Sequence, residues 1–179
     1  MADNQCYICW GDDGTLISPC SCRGTGGYVH EDCLRDWFTN IGEWFDLDCP
    51  QCKDPFYGPI GVDLASFALS QVQGEHGVDS TTSAQAMGNL ADALDRVGAY
   101  QKQKELLERA LPIEEREYGR NHPNVAQALG NLGLAYGNLG DQAKKRDMLE
   151  RALAIKERAY GRDHPEVALT LTNLGNAYG

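Results

Sequence analysis

CYICWGDDGTLISPCSCRGTGGYVHEDCLRDWFTNIGEWFDLDCPQC, residues 6–52, places eight metal-type side chains in the order C-x2-C-x10-C-x-C-x7-H-x2-C-x15-C-x2-C. They are Cys6, Cys9, Cys20, Cys22, His30, Cys33, Cys49 and Cys52, and they include all seven cysteines of the chain. A disulfide framework would suit a secreted protein, but the polar start MADNQ does not read as a signal peptide and an odd number of thiols leaves one unpaired. A redox C-x-x-C needs a βαβ context that this short glycine-rich stretch lacks. Zinc remains. Eight soft or imidazole donors make two four-coordinate sites with no open position, the form in which structural rather than catalytic zinc is held.

The order Cys-Cys-Cys-Cys-His-Cys-Cys-Cys resembles the RING-CH (RING-variant) finger, as do Pro19, Val29, Leu34 and Trp37 around the ligands. The resemblance covers about residues 5 to 57 and implies a cross-brace. One Zn2+ would then take Cys6, Cys9, His30 and Cys33, and a second Cys20, Cys22, Cys49 and Cys52. The PHD finger shares the ligand order, but it usually spaces the third and fourth ligands more widely and carries Trp where this chain has Leu47.

RING fingers act by presenting a surface, and the resemblance implies binding of a ubiquitin-conjugating enzyme charged with ubiquitin. The gain is orientation of a thioester for attack by a substrate lysine. A ligase that carries ubiquitin on itself needs a free cysteine, and here all seven are committed to metal. By the same resemblance, Ile8, Trp37 and Pro50 form the docking groove. The alternative is that Ile8 and Trp37 complete a small core. Lys53 follows the last ligand, where active fingers often carry a basic residue, more often Arg, that bridges to ubiquitin. A solvated surface lysine is the other reading. Pro50 stands where RING-CH fingers often have Glu.

The 179 residues carry a formal charge of −10, and residues 1–57 hold three basic side chains against ten acidic ones. Such a finger is a poor match for nucleic acid, where phosphate neutralisation supplies most affinity. Many RING-CH proteins are membrane ligases, but no stretch here approaches the roughly 20 apolar residues of a spanning helix. The expectation is a chain without membrane insertion, in the reducing cytoplasm or nucleus. PFYGPIG (residues 55–61) reads as the end of the finger, leaving 58–61 as a linker.

From residue 62 the chain repeats. Asn89-Leu90, Asn131-Leu132 and Asn173-Leu174 recur at a step of 42, as do Gly77, Gly119 and Gly161. A fixed period of this size signals stacked helical units. Val125, Ala128, Leu129, Leu132, Ala135, Tyr136 and Leu139 give one amphipathic helix; Met148, Leu149, Ala152, Leu153 and Tyr160 give a second. His122-Pro123 and His164-Pro165 read as helix starts, with Pro in the first turn.

The run NLGLAYGNLGD at 131–141, ERAL at 150–153 and GRDHP at 161–165 resemble the tetratricopeptide repeat of the kinesin light chain type. The resemblance spans 62–179, with a degenerate first unit and an incomplete last one. Gln103 and Lys145 replace the usual small residue, and Pro112 is expected to bend or loosen its helix. The resemblance implies a groove for an extended peptide, a substrate or adaptor, lined by Asn89, Asn131 and Asn173 with Asn138 and Asn176 nearby. Inherited repeat structure is the competing reading of these asparagines. The expected fold is therefore a small zinc-stapled cross-brace α+β finger (1–57) followed by an all-α tetratricopeptide-like helical solenoid. The expected function is a RING-type E3 ubiquitin ligase acting without a covalent intermediate. The alternatives are a non-catalytic zinc-finger scaffold and a PHD-like reader of histone tails.

Overall fold

The computed structural model describes residues 5–178. The first four residues of the expected finger, and Gly179 at the end of the expected array, lie outside them.

The finger is held by little regular structure. Strands β1 (Leu16–Ile17) and β2 (Val29–His30) pair antiparallel, Leu16 opposite His30 and Ile17 opposite Val29. A 3-10 turn (Gly24–Gly27) precedes β2, and α1 (Glu31–Ile41) follows it. Glu31 and Asp32 in its first turn complement the helix dipole, and Gly42, at a φ of 69°, ends it in the left-handed conformation. Val29, Leu34, Phe38 and Phe56 are buried between these pieces.

Six antiparallel helices follow: α2 (Gly58–His76), α3 (Thr81–Arg96), α4 (Tyr100–Tyr118), α5 (Pro123–Asn138), α6 (Gln142–Tyr160) and α7 (Pro165–Tyr178). The period appears in their bounds: α2, α4 and α6 each have 19 residues and start 42 apart, and α3 and α5 each have 16. Gly77, Gly119 and Gly161 close the longer helices with φ near 85°, a conformation that an L side chain resists. His122 and His164 cap the next helices. Each ring accepts the N–H two residues on through Nδ1, at 3.1 and 3.2 Å, and stacks on Tyr118 or Tyr160.

Three expectations are corrected. The linker expected at 58–61 is the first turn of α2. Gly58, at a φ of 71°, turns the chain out of the finger, and Pro59 enters the first turn, where a missing N–H costs nothing. Helix α4 runs unbroken through Pro112 at the same length as its equivalents. Pro112 lies on the exposed side, where water can satisfy the carbonyl it leaves free. The inward face of α6 is Leu149, Ala152, Ile155 and Lys156, with Tyr160 exposed.

Finger and array share a core. Val29, Leu34, Phe38 and Phe56 form one buried cluster with Ile60, Leu64 and Ala68 of α2. Trp44 stands edge-on to Phe38 of α1 at 5.8 Å and to Phe67 of α2 at 5.7 Å. Leu47 and Trp44 also pack on the cluster between α2, α3 and α4. Among the described residues, no helix is long and apolar enough to cross a membrane.

Candidate functional site

The eight candidate ligands gather into two groups of four: Cys6, Cys9, His30 and Cys33, and Cys20, Cys22, Cys49 and Cys52. Within each group all donor atoms lie within 4.8 Å of one another. Local structure explains the convergence. In each C-x2-C segment the chain folds back on itself: Trp10 N–H donates to the Cys6 carbonyl at 2.8 Å, and Lys53 N–H to that of Cys49 at 2.9 Å. Trp10 and Lys53, each directly after the second cysteine, both adopt positive φ (63° and 60°). A left-handed non-glycine residue costs about 1–2 kcal/mol, so the same strain at both loops marks a geometry imposed by ligand convergence. His30 ends β2 and Cys33 sits in the first turn of α1, bringing the second pair of the first group over the first pair.

The donor geometry fits zinc. Tetrahedral zinc with bonds near 2.3 Å to sulfur and 2.0 Å to nitrogen sets sulfurs about 3.8 Å apart, and sulfur and nitrogen about 3.5 Å. Cys22 and Cys49 sulfurs are 3.7 Å apart, and His30 Nδ1 lies 3.3 Å from Cys9 Sγ and 3.7 Å from Cys33 Sγ. All seven cysteines are free thiols. Backbone amides also aim at sulfur: His30 N–H at Cys6 and Gly11 N–H at Cys9, each at 3.4 Å. Burial raises the Cys6 thiol, but backbone amides around it, those of Cys9, His30 and Ile8, outweigh that and hold it down at about 6. The Asp54 amide does the same for Cys52, at about 7. Burial raises the thiols of Cys20, Cys22 and Cys33 instead, so the two groups mix thiolates ready for a cation with thiols that would give up a proton on binding it. With four protein donors per ion, zinc here would staple the fold and leave no position for substrate.

The candidate docking residues are divided in their exposure. Ile8 and Trp37 are half-buried against the finger's core, Trp37 edge-on to Phe56 at 6.4 Å, while Pro50 and Lys53 are exposed. Ile8 and Trp37 thus serve the core and still reach the surface. Trp10, 72% exposed beside the first ligand pair, is a surface residue that sequence reasoning missed; its positive φ turns it outward.

In the array, Asn89 of α3 and Asn131 of α5 line one cleft of about 260 Å³, floored by Leu107, Ala110 and Glu114 of α4. Asn131 donates to Asp92 at 3.2 Å and accepts from Gln127 at 3.1 Å. Asn138, at the end of α5, and Asn173 and Asn176, on α7, lie outside it. Asp92 and Glu114 were missed as well. Burial raises both carboxyls, Glu114 to about 7. The basic residues of the longer helices are partly engaged: Lys104 and Lys144 lie over the Tyr136 ring at 5.9 and 4.7 Å.

Comparison with known families matches residues 5–52 to the RING-variant domain and 83–124 and 125–166 to successive tetratricopeptide repeats. The chain joins a RING-variant domain to tetratricopeptide repeats. That decides between the two finger families that the ligand order allowed. The E3 ubiquitin-protein ligase MARCHF5 of Xenopus laevis is 32% identical over 87 positions, covering 40% of this chain and 31% of that ligase. The probable E3 ubiquitin ligase SUD1 of Arabidopsis thaliana is 37% identical over 71 positions, covering 37% of this chain and 6% of SUD1. The chain therefore spans under a third of either relative. Among solved structures, a repeat protein of the kinesin light chain type from Podosopora anserina superposes with a TM-score of 0.63 at 20% identity, covering 83% of this chain and 63% of that one. BtubC from P. vanneervenii gives 0.60 at 23%, covering 88% of this chain and 59% of its own. At these identities the likeness is one of fold.

Proposed function

We propose that this RING-variant and tetratricopeptide-repeat chain is a RING-type E3 ubiquitin-protein ligase with two zinc ions in the finger. The finger binds a charged ubiquitin-conjugating enzyme through Ile8, Trp37, Pro50 and Lys53. The repeats hold a substrate or adaptor along the asparagine-lined face. One observation carries the reading: two complete sets of four donors converge in a finger whose Ile8 and Trp37 stay partly open to solvent. The ligases among its relatives support the same reaction.

The chemistry asked of the chain is positioning. All seven cysteines fall in the two clusters, so ubiquitin passes directly from the conjugating enzyme's thioester to the acceptor amine. Zinc, when bound, supplies rigidity alone. The two ligand loops fix the backbone at Ile8 and Pro50, and α1 fixes Trp37 relative to them. Free thiols available to zinc suit a reducing compartment, the cytoplasm or nucleus.

The test is discharge of ubiquitin from a panel of charged conjugating enzymes onto free lysine. The zinc-loaded chain accelerates discharge from at least one of them, and Ile8→Ala or Trp37→Ala removes most of that gain while zinc content stays at two per chain. Absence of acceleration across the panel would leave a zinc-stapled binding scaffold instead.

A further inference from the structure

In a solenoid, positions one repeat apart do equivalent work, so a break in the pattern between units is informative. Forty-two residues after Glu114 of α4 stands Lys156 of α6, and forty-two after Asn124 of α5 stands Glu166 of α7. In the later unit the two close an ion pair. Lys156 Nζ lies 2.8 Å from Glu166 Oε2, with only 7% of the lysine side chain exposed. In the earlier unit the charge is reversed and the partner is missing. Glu114 Oε2 is buried and has no hydrogen-bond partner among the described residues. No lysine or arginine lines its cleft.

A carboxylate buried without a partner is costly, and a cation brought to it with hydrogen bonds recovers much of that cost. Asp92, on the α3 wall of the cleft, adds a second carboxylate. Asn89, Asn124, Gln127 and Asn131 add amides that can donate to and accept from a peptide backbone. Asn89 and Asp92 line a second hollow as well, together with Arg96 and with Phe45, Leu47, Asp48 and Pro55 of the finger. The two hollows thus share the edge formed by Asn89 and Asp92, next to the finger.

We propose that the cleft between α3, α4 and α5 is a receptor for a lysine or arginine side chain of an extended peptide, with Glu114 as its counter-charge. In this role Glu114 does for the ligand's cation what Glu166 does for Lys156. The inference rests on the reading of the repeats as a peptide receptor and narrows the substrate class to basic segments. The cleft's titratable groups are Glu114 on α4 and Asp92 on α3; Arg96 and Asp95, on α3, act on Asp92 with opposite sign. Because burial holds the Glu114 carboxyl at about 7, binding strengthens as pH rises from 6 to 8 and the group ionises.

The experiment is selection of a displayed random nonapeptide library on the full zinc-loaded chain at pH 8. Enriched peptides are then measured by fluorescence anisotropy. The expected peptides share one fixed lysine or arginine. Replacing it by citrulline or norleucine weakens binding at least tenfold. Glu114→Gln, nearly isosteric and checked by circular dichroism, weakens the parent peptide similarly and flattens its pH dependence. Enriched peptides without a fixed basic residue, or with affinity indifferent to its replacement, overturn this inference and leave the receptor reading standing. No enrichment at all overturns both.

Discussion

Glu114 departs from its repeat: its equivalent one period on is the ion-paired Lys156. Its carboxyl is pushed from the usual range up to about 7 by burial, with no cation to offset it. Between pH 4.5 and 7 the folded chain therefore binds a proton that the unfolded chain has released. Stability from this group is full below the unfolded value and is lost as pH rises through the folded one. Glu114→Gln removes that loss. The variant melts as the parent does at pH 5 and is more stable at pH 8, by about 1 kcal/mol after discounting for the solvent that reaches the cleft. Thermal denaturation at the two pH values reads this directly, and an equal shift at both would show that the carboxylate is not the cause. Residues of this kind were illegible in the sequence. A glutamate among Glu114, Glu115 and Glu117 reads as part of a solvated face, and its inward direction depends on where α5 packs. The candidate metal ligands were legible for the opposite reason. Sulfur and imidazole at tight spacings have few other uses, and alternate pairing follows from the family pattern.

At the scale of elements, the 42-residue step explains both what was readable and what was missed. Helices α3, α5 and α7 follow from their apolar rows and from the His-Pro starts of the last two. Helix α2 began four residues earlier than expected because two prolines and two glycines in PFYGPIG read as a linker. Subtracting one period from the start of α4 would have placed the boundary correctly, at Gly58. The same comparison exposes a weak point. Asp141 caps α6, its side chain accepting the Lys144 N–H at 3.0 Å, whereas the equivalent Ala99 of α4 has no side-chain cap. The two backbones share φ near −85° with ψ of 76° and 51°. Lys102 already stands where Lys144 does. Ala99→Asp should therefore supply the missing cap and stabilise the chain by about 1 kcal/mol, read as a higher urea midpoint with unchanged slope. Pro112→Ala restores a backbone hydrogen bond in the same helix and should add about 1–3 kcal/mol. Loss of stability in the same urea titration would show instead that α4 depends on the proline's geometry.

At the scale of the molecule, the finger acts as the first layer of the solenoid. Helix α2 belongs to both: its Ile60, Leu64 and Ala68 pack among Phe38 and Phe56 of the finger, while its Ala65, Leu69 and Val72 pack against α3 and α4. Gly61 lies at the joint, where an added Cβ would come within 2.4 Å of the Phe56 carbonyl oxygen. Tyr57, the last residue before α2, holds the finger's second ligand pair directly. Its hydroxyl donates to the Cys20 carbonyl at 2.6 Å, and its N–H donates to that of Pro19 at 2.8 Å. The candidate metal ligands and the array are thereby coupled through covalent neighbours and a shared core. In a stack where each unit touches only the next, such coupling should decay with distance. Chelating zinc from the loaded chain is thus expected to speed amide exchange over residues 5–57, and also over α2 and the face of α3 packed on it, while α6 and α7 keep their protection. Adding zinc back restores the pattern. Faster exchange confined to residues 5–57 would mean that α2 is held by the array alone, and an equal rise through α7 would mean that the chain unfolds as one unit. The graded outcome is the one that lets the finger set the position of α3 without destabilising the far end of the array.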